Sequence, residues 1–424
     1  MKTLFLFTIL TASLLPAQAQ TNWPCFRGPS RQGISTGPEL PLKWSAVENV
    51  RWKTAVPGEG WSSPIVWGGD IFLTTTEDKG VSCRVLCFNS NTGALKWNTE
   101  VFKQVTPRKE NRNSYATPTP VTDGKMVYAV FGSGGMAAVD FTGKTVWTFT
   151  DFQFYSRHGL GASPVLEDGL LVMPWDWSTD PDKEGLDKEK VGWQIPWDRS
   201  FVFALDAATG KLAWKTPRGP SRIAHVTPNI WTDETGRKQV VSGAGDVLQG
   251  FDLKTGERLW SAKNEGEGVT PSVVIADGLA IQTNGWNGYD SVRAFRLAGA
   301  RGDVSESALA WEQKKNASKL PSLIHVAPYV FSITEAGIAW CAKADTGEIL
   351  YRERIGSTFA SSPVVSGGRI YITDDQGETV VLPATPKFEI LSKNPLGEKV
   401  QASPAVAGGR LFVRGEKTLF CIGR

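Results

Sequence analysis

A repeated motif governs this sequence: eight times along the chain, a small residue followed by proline opens an apolar run. After five of these runs, a turn glycine is followed four residues later by an aromatic residue, as in Gly210 to Trp214. Intervals of 35 to 64 residues between successive prolines suit blades of four short β-strands with variable loops. The repeat therefore predicts a β-propeller. The prolines that define it are Pro64, Pro118, Pro164, Pro228, Pro271, Pro328, Pro363 and Pro404.

Length and charge limit the classes of function. A propeller grows by adding blades around a ring, so 424 residues are compatible with one domain, and we expect a monomer. The 46 basic and 43 acidic residues are interspersed and give a net charge of only +3. Because nucleic-acid binding requires an extended basic surface, nucleic acid is not expected as a partner.

The start of the chain has the pattern of a secretory signal peptide. Lys2 precedes an apolar stretch from Leu4 to Leu15, and Ala17-Gln18-Ala19 is a cleavage motif. We therefore expect a signal peptide over residues 1–19, an N-terminal extension over 20–49 and the propeller over 50–424. No later stretch has the roughly 20 apolar residues of a membrane-spanning helix. The sequence predicts a soluble periplasmic or secreted protein.

The repeat also predicts how the ring closes. The eighth repeat ends after three strands, and Val50-Arg51-Trp52-Lys53 has the composition of the missing outer strand. Pairing these segments would remove the free edges between the first and last blades. The predicted fold is therefore all-β: an eight-bladed propeller of four-stranded antiparallel blades, with the last blade completed by an N-terminal strand.

Tryptophans and cysteines recur at fixed positions in the repeat. The closing tryptophans are predicted to pack against the neighbouring blade rather than to bind a ligand. Cys87, Cys341 and Cys421 occupy the strand position that Ala204 and Gly250 hold in other repeats, which indicates a small buried residue. The sequence does not determine a disulfide pairing, and it contains no metal-binding cysteine pair.

Variation around the repeat indicates candidate site residues. Inner strands line the channel of a propeller, so varied side chains just before them are expected to converge at one mouth. Four cationic or imidazole side chains on neighbouring repeats form a predicted arc that could hold an anion. The alternative is that all of these are ordinary loop residues. The candidates are Trp61, Tyr115, His225, His325 and Gln401 before the strands, and Arg112, Arg157, His158 and Arg222 in the arc.

The longest insertion, residues 174–199, combines four tryptophans with acidic residues. Asp180 to Gly185 is similar to the start of a calcium loop, but position twelve is Val191 where such loops have glutamate. No metal site is therefore predicted. A long aromatic loop favours a contact surface for an envelope or secreted protein partner, against a merely packed loop.

These repeats resemble a known family. The pattern Ala-Leu-Asp-x-x-Thr-Gly-Lys-x-x-Trp at 204–214, with relatives at 250–260 and 87–97, is similar to the repeats of PQQ-binding-like β-propeller proteins, which include quinoprotein alcohol dehydrogenases and BamB-like propellers. The resemblance covers nearly all of residues 50–424. Trp23-Pro24-Cys25-Phe26-Arg27-Gly28-Pro29 also resembles the leader of exported members.

The resemblance implies two functions. BamB-like propellers are non-catalytic and bind partner proteins through surface loops. Quinoprotein dehydrogenases hold pyrroloquinoline quinone (PQQ) on the axis, with calcium, an Asp base and an adjacent cysteine pair. This chain has no adjacent cysteines, and no Glu, Asn and Asp set can be matched to those positions. We therefore predict an exported binding module for a partner protein or anionic ligand, with no catalytic residues. A PQQ-dependent dehydrogenase that oxidises alcohols or sugars is the alternative, and a hydrolase is third because no Gly-x-Ser-x-Gly motif occurs.

Overall fold

Eight β-sheets form a ring around a central axis in the computed structural model of this protein. The structure describes residues 21–45, 48–178, 191–286, 288–315 and 317–423. Within these ranges each sheet contains four antiparallel strands, and one sheet has a fifth, short strand. Neighbouring strands of a sheet follow each other in the chain, except in the sheet that joins the first and last described strands and at this short inserted strand. The described part includes one 3₁₀ turn, Asp78–Gly80, and no helix with the length and hydropathy of a membrane span. The predicted fold class is confirmed.

Each blade runs from an inner to an outer strand, and short turns join its strands. Blade 1 contains β2 to β5 and blade 2 contains β6 to β9. Their bounds are Ile65–Trp67, Asp70–Glu77, Ser82–Asn89 and Leu95–Lys103, then Val121–Thr122, Met126–Val130, Met136–Asp140 and Thr145–Phe149. Blade 3 contains β10 to β13 and blade 4 contains β14 to β17. Their bounds are Val165–Glu167, Leu170–Trp175, Phe201–Asp206 and Leu212–Pro217, then Asn229–Thr232, Lys238–Gly243, Val247–Asp252 and Arg258–Lys263.

The second half of the ring repeats this order with one insertion. Blade 5 contains β18, β19, β20 and β22, at Val274–Ala276, Leu279–Thr283, Ser291–Arg296 and Leu309–Lys314. The inserted β21, Gly302–Asp303, pairs in parallel with β17 of blade 4. Blade 6 contains β23 to β26 and blade 7 contains β27 to β30. Their bounds are Ile324–Val326, Tyr329–Ile333, Ile338–Lys343 and Ile349–Arg354, then Val364–Ser366, Arg369–Thr373, Glu378–Pro383 and Ser392–Pro395.

Blade 8 joins the two ends of the described chain. Its strands β31 to β33 are Ala405–Ala407, Arg410–Arg414 and Thr418–Ile422, and its outer strand is β1, Val50–Ala55. In this pairing Trp52 lies opposite Cys421 and Thr54 lies opposite Leu419. The predicted closure by residues 50–53 is confirmed.

The closing tryptophans connect each blade to the next. Their indole N–H groups donate to a backbone carbonyl in the third-strand turn of the following blade, and in all five junctions the turn glycine lies against the indole ring. That glycine has a positive φ, and a Cβ there would lie within about 3 Å of the indole ring. The donor and acceptor pairs are Trp52 to Ser90, Trp97 to Phe141, Trp147 to Ala207, Trp214 to Leu253 and Trp311 to Ala344.

A small side chain lies opposite each of these rings on the third strand. Cys87 pairs with Trp97, Ala204 with Trp214 and Cys421 with Trp52. All five cysteines are buried and unpaired. Burial raises the pKa of the Cys25 and Cys421 thiols to about 11, so both stay protonated at neutral pH. The predicted role of the repeated cysteines as small buried residues is confirmed.

Trp260 departs from this arrangement. Its indole N–H donates to Gln239 in its own blade, at 3.0 Å. Trp260 pairs with Gly302 of β21, and the flanking residues Ala300 and Val304 pack in the same apolar cluster as Trp260. The insertion in blade 5 therefore replaces the turn-to-tryptophan contact at this junction.

Three of the prolines used to align the repeat do not open an inner strand. β6 begins directly after Pro120 rather than Pro118, and β18 begins three residues after Pro271. Pro328 lies in the turn between β23 and β24. The predicted register was wrong in blades 2, 5 and 6. The prediction used proline to mark the start of the inner strand, whereas the residue type that recurs in every blade is a serine or threonine shortly before that strand.

The junction between blades 3 and 4 offers a stability test. We expect Trp214→Ala to lower the free energy of unfolding by about 3–5 kcal/mol, because it removes a buried ring and the hydrogen bond to Leu253. Urea denaturation followed by circular dichroism measures this change. Leu212→Ala, at an exposed position of the same strand, is the control and should change stability by less than about 0.5 kcal/mol. Equal effects of the two variants would contradict this role of the indole.

Candidate functional site

A ring of hydroxyl side chains lies where the inner strands begin. Each blade contributes one serine or threonine, two residues before its inner strand begins. We call this ring the hydroxyl belt. In six blades the hydroxyl accepts a hydrogen bond of 2.7 to 3.0 Å from the backbone N–H of the belt residue in the preceding blade. The belt consists of Ser63, Thr119, Ser163, Thr227, Ser272, Ser322, Ser362 and Ser403.

The residue two positions before the belt faces the axis in every blade. All eight of these residues line a single cavity on the axis, which we call the axial cavity. Trp61, His225 and Gln401 were predicted at these positions. In blades 2 and 6 the corrected register places Thr117 and Leu320 where Tyr115 and His325 were predicted. The complete set is Trp61, Thr117, Gly161, His225, Thr270, Leu320, Ala360 and Gln401.

The axial cavity has a volume of about 390 Å³. Besides the eight axial residues, its lining includes Phe26, Glu110, Asn113, Glu267 and several belt hydroxyls. Two further tryptophans, Trp193 and Trp286, also line it. This volume falls within the usual range of small-molecule sites, about 300–1,000 Å³.

The N-terminal extension closes the deeper end of the channel. Residues 22–36, which we call the axial segment, contact inner-strand residues located three positions after the belt, or about 10 Å deeper by strand rise. Phe26 of this segment faces the cavity. The contacts join Trp23 to Val66, Pro24 to Thr122, Arg31 to Leu166, Gln32 to Ile275 and Ile34 to Val365.

Arg27 fixes the middle of the axial segment. Its side chain is 1% exposed and donates to the carbonyl oxygens of Gln32, at 3.0 Å, and Leu323. Burial lowers the pKa of Arg27 to about 9, so the group remains charged at neutral pH. Since removing a charge from water is costly, carbonyl acceptors are needed on the segment and on the blade. These bonds bind the axial segment to blade 6.

His225 and His158 both line the axial cavity, with ring centroids 6.1 Å apart. His225 is only 8% exposed, and neither of its ring nitrogens has a hydrogen-bond partner among the described residues. Burial and the nearby His158 lower the pKa of His225 to about 3. Burial also lowers the pKa of His158, although Glu110 opposes that shift, with 3.3 Å between His158 Nε2 and Glu110 Oε1. Both imidazoles are therefore neutral at pH 7.

The arginines of the predicted cationic arc each contact a different group. Arg112 lies in the cavity lining, 3.4 Å from Glu110. Arg157 stacks over Trp193 with 4.2 Å to the ring centroid. Arg222 is 7% exposed and donates to Asp246 and, at 3.0 Å, to the Tyr289 hydroxyl. Burial alone would lower the pKa of Arg222, but these bonds outweigh it and raise the pKa.

Four predicted residues lie outside the lining of the axial cavity in the described chain: Tyr115, Arg157, Arg222 and His325. Tyr115 packs in the gap beside Gly80 and Gly132. His325 lies within β23, with its Nε2 3.2 Å from Asp277 Oδ2. The register error explains Tyr115 and His325, because both were assigned to a position that other residues occupy. The structure therefore brings Trp61, Arg112, His158, His225 and Gln401 to the cavity.

Some described residues of the insertion pack in the core, and one of them lines the cavity. Trp175 is 1% exposed at the end of β11, and Asp176 forms a buried ion pair with Arg218 at 2.5 Å. Trp177 packs on Trp197 at 4.9 Å between ring centroids. Trp193 reaches the cavity mouth. Residues 179–190, including the calcium-like segment, lie outside the described residues.

Sequence reasoning missed Glu110, Glu267, Trp286 and the axial segment. Glu267 is 5% exposed and lies beside Gly268, one of the residues that precede an inner strand. The signal for Glu110 and Trp286 was weak, because Glu110 lies in the loop between blades 1 and 2 and Trp286 in the loop between β19 and β20. In the described part of the chain, no group of three or more His, Cys, Asp or Glu residues is arranged to hold a metal ion.

Solved structures with the same fold include proteins of different activities. BamB from Moraxella catarrhalis is 14% identical, with a TM-score of 0.62, over 88% of this chain and 99% of that one. A quinohemoprotein alcohol dehydrogenase from Pseudomonas putida is 12% identical, with a TM-score of 0.63, over 95% of this chain and 80% of that one. At this identity the likeness concerns the fold alone. No curated protein matches the sequence.

A family model gives the more specific assignment. The model described as outer membrane protein assembly factor BamB matches residues 43–174, 197–289 and 300–422. These segments include strands of all eight blades, and they begin before β1 and end with β33. The resemblance inferred from the repeats is thereby confirmed, and the chain belongs to the family of the outer membrane protein assembly factor BamB.

Proposed function

We propose that this protein is an exported, non-catalytic binding protein that holds a small organic ligand in its axial cavity. The observation that carries the proposal is His225, which lines the cavity and whose two ring nitrogens are buried without a hydrogen-bond partner among the described residues. Buried polar atoms in folded proteins are nearly always hydrogen-bonded, and leaving one unpaired costs about 1–3 kcal/mol. A ligand that bonds to His225 would remove this cost.

The shape of the site also supports ligand binding. The axial segment closes one end of the channel, so a bound molecule is surrounded by eight blades and by Phe26 beneath it. Trp61, Trp193 and Trp286 are partly exposed around this space. Large aromatic rings that keep a solvent-facing surface around a concave site are typical of binding pockets.

PQQ does not fit this site. The cofactor carries three carboxylates, which require cations, and Arg112 is the single Lys or Arg in the described lining. Its guanidinium faces Glu110, and Glu267 adds another acidic side chain. Both histidines are neutral because burial lowers their pKa. The chain also lacks the adjacent cysteine pair of the dehydrogenases. The charges of the cavity therefore oppose a tricarboxylate.

A protein partner remains the second candidate, on the basis of the insertion. Ile195 is 51% exposed and lies in the chain between Trp193, which lines the cavity, and Trp197, which packs on Trp177. A partner bound to this segment would cover the exposed Ile195 side chain. The proposal includes export to the periplasm or outside the cell, which the sequence motif Ala17-Gln18-Ala19 supports.

Filling the cavity tests the ligand proposal. We expect native mass spectrometry of the protein, after incubation with a small-molecule extract of the producing cells, to show a non-covalent adduct. Ala360→Trp, which fills the cavity from blade 7, should abolish the adduct, whereas Val105→Trp at a 92% exposed position should retain it. Absence of an adduct on the unmodified protein, or its retention in Ala360→Trp, would refute ligand binding in the axial cavity.

The buried His225 predicts a pH dependence of stability. Its pKa is about 3 in the folded protein against an ordinary value of 6.5, so the unfolded chain binds an additional proton between these values. Stability is therefore lost as pH falls below 6.5, by up to about 1.4 kcal/mol per pH unit. Urea denaturation at pH 7.5 and 5.0 measures the loss, which should be about 2 kcal/mol smaller in His225→Gln. The same loss in both proteins would contradict a buried neutral imidazole.

A further inference from the structure

The unpaired atoms of His225 restrict the chemistry of the ligand. A neutral imidazole has one N–H donor and one nitrogen acceptor, and both belong to a side chain that is 8% exposed. A ligand group that bonds to one of these nitrogens must accept from the N–H or donate to the other nitrogen. A hydroxyl group can do either, because it can donate one hydrogen bond and accept others.

The remaining polar lining has the same preference. Glu110 and Glu267 are acceptors when ionised, and the amides of Asn113 and Gln401 both donate and accept. A ligand with several hydroxyls can form hydrogen bonds with carboxylates, amides and imidazoles, because each hydroxyl can donate or accept. The belt hydroxyls, in contrast, are largely committed to the backbone of the preceding blade.

The tryptophans require an apolar surface on the same ligand. Trp61 belongs to blade 1, Trp193 to the insertion and Trp286 to blade 5, so indole rings approach the cavity from three directions. Arg157 covers one side of Trp193, and Lys319 lies 4.9 Å from the ring of Trp286. Among the described residues, no cation and no other aromatic ring contacts Trp61. Its indole face is therefore available for stacking on a C–H face.

Charge argues against ionic ligands. The cations around the cavity already contact carboxylates or indole faces, as Arg112 with Glu110 and Arg157 with Trp193 show. An anion would meet Glu110 and Glu267, and a quaternary ammonium ion would meet indole faces that Arg157 and Lys319 already approach. A neutral ligand avoids both conflicts.

We propose that the axial cavity binds one or two pyranose rings of a neutral carbohydrate, with hydroxyls on His225 and the carboxylates and with a C–H face on Trp61. This inference rests on the proposed function of the cavity as a ligand site and adds the class of the ligand. Sugar rings combine a hydroxylated rim with an apolar face, which is the combination that this lining requires.

The test is calorimetric titration of the full-length mature protein with neutral disaccharides: cellobiose, maltose, mannobiose and diacetylchitobiose. We expect at least one to bind with a dissociation constant below about 1 mM. His225→Phe keeps the ring but removes both nitrogens, and it should weaken binding at least about tenfold, as should Trp61→Ala. His325→Phe makes the same chemical change outside the cavity lining and should leave binding unchanged. Circular dichroism verifies the fold of each variant.

The alternative outcomes are distinct. If no disaccharide binds at 10 mM, or if His325→Phe weakens binding as much as His225→Phe does, the carbohydrate inference is overturned. If no disaccharide binds, but the unmodified protein forms the mass-spectrometric adduct and Ala360→Trp does not, the cavity is a binding site for another class of ligand. If that adduct is also absent, the proposed function itself fails. Binding of citrate or tetramethylammonium in preference to every disaccharide would likewise overturn the inference.

Discussion

The contact between a closing tryptophan and the turn of the next blade is the interaction on which the structure depends. An indole ring supplies apolar area, its N–H donates to a turn carbonyl, and in all five junctions a glycine with positive φ leaves room for the ring. A small residue such as Ala204 or Cys421 lies opposite the ring on the third strand. Repetition of this contact fixes the rotation between blades, and thereby the position of every inner strand around the axis.

The hydroxyl belt connects neighbouring inner strands and so fixes the wall of the axial cavity. Since most belt hydroxyls bond to a neighbouring backbone, their identity is restricted to serine and threonine. The side chain two residues before the belt is not restricted in this way, and it differs from blade to blade, from Gly161 to Trp61. The ring thus provides a rigid frame, and the variable positions determine what the axial cavity can bind.

The fold was accessible from the sequence because its determinants are local and repeated. Glycine, tryptophan and the small opposing residue occur at constant spacing, and the missing strand of blade 8 was recognised from Trp52. The site was less accessible. Proline is not the invariant residue before the inner strand, so Tyr115 was assigned in place of Thr117. The pairing of Arg222 with Asp246 depends on loop conformation, which spacing does not encode. The path of the axial segment likewise depends on contacts between residues far apart in the chain, such as Gln32 and Ile275.

The pairing of β1 with β33 has a consequence for the order of assembly. Residues 50–55 emerge from synthesis or translocation long before residues 418–422, their only sheet neighbours within the described chain. Until the late strands arrive, the nascent molecule is an open arc of blades whose first and last members present unsatisfied backbone groups. Such edges readily pair with those of other chains. The interval before ring closure is therefore the period in which this protein most needs chaperone protection.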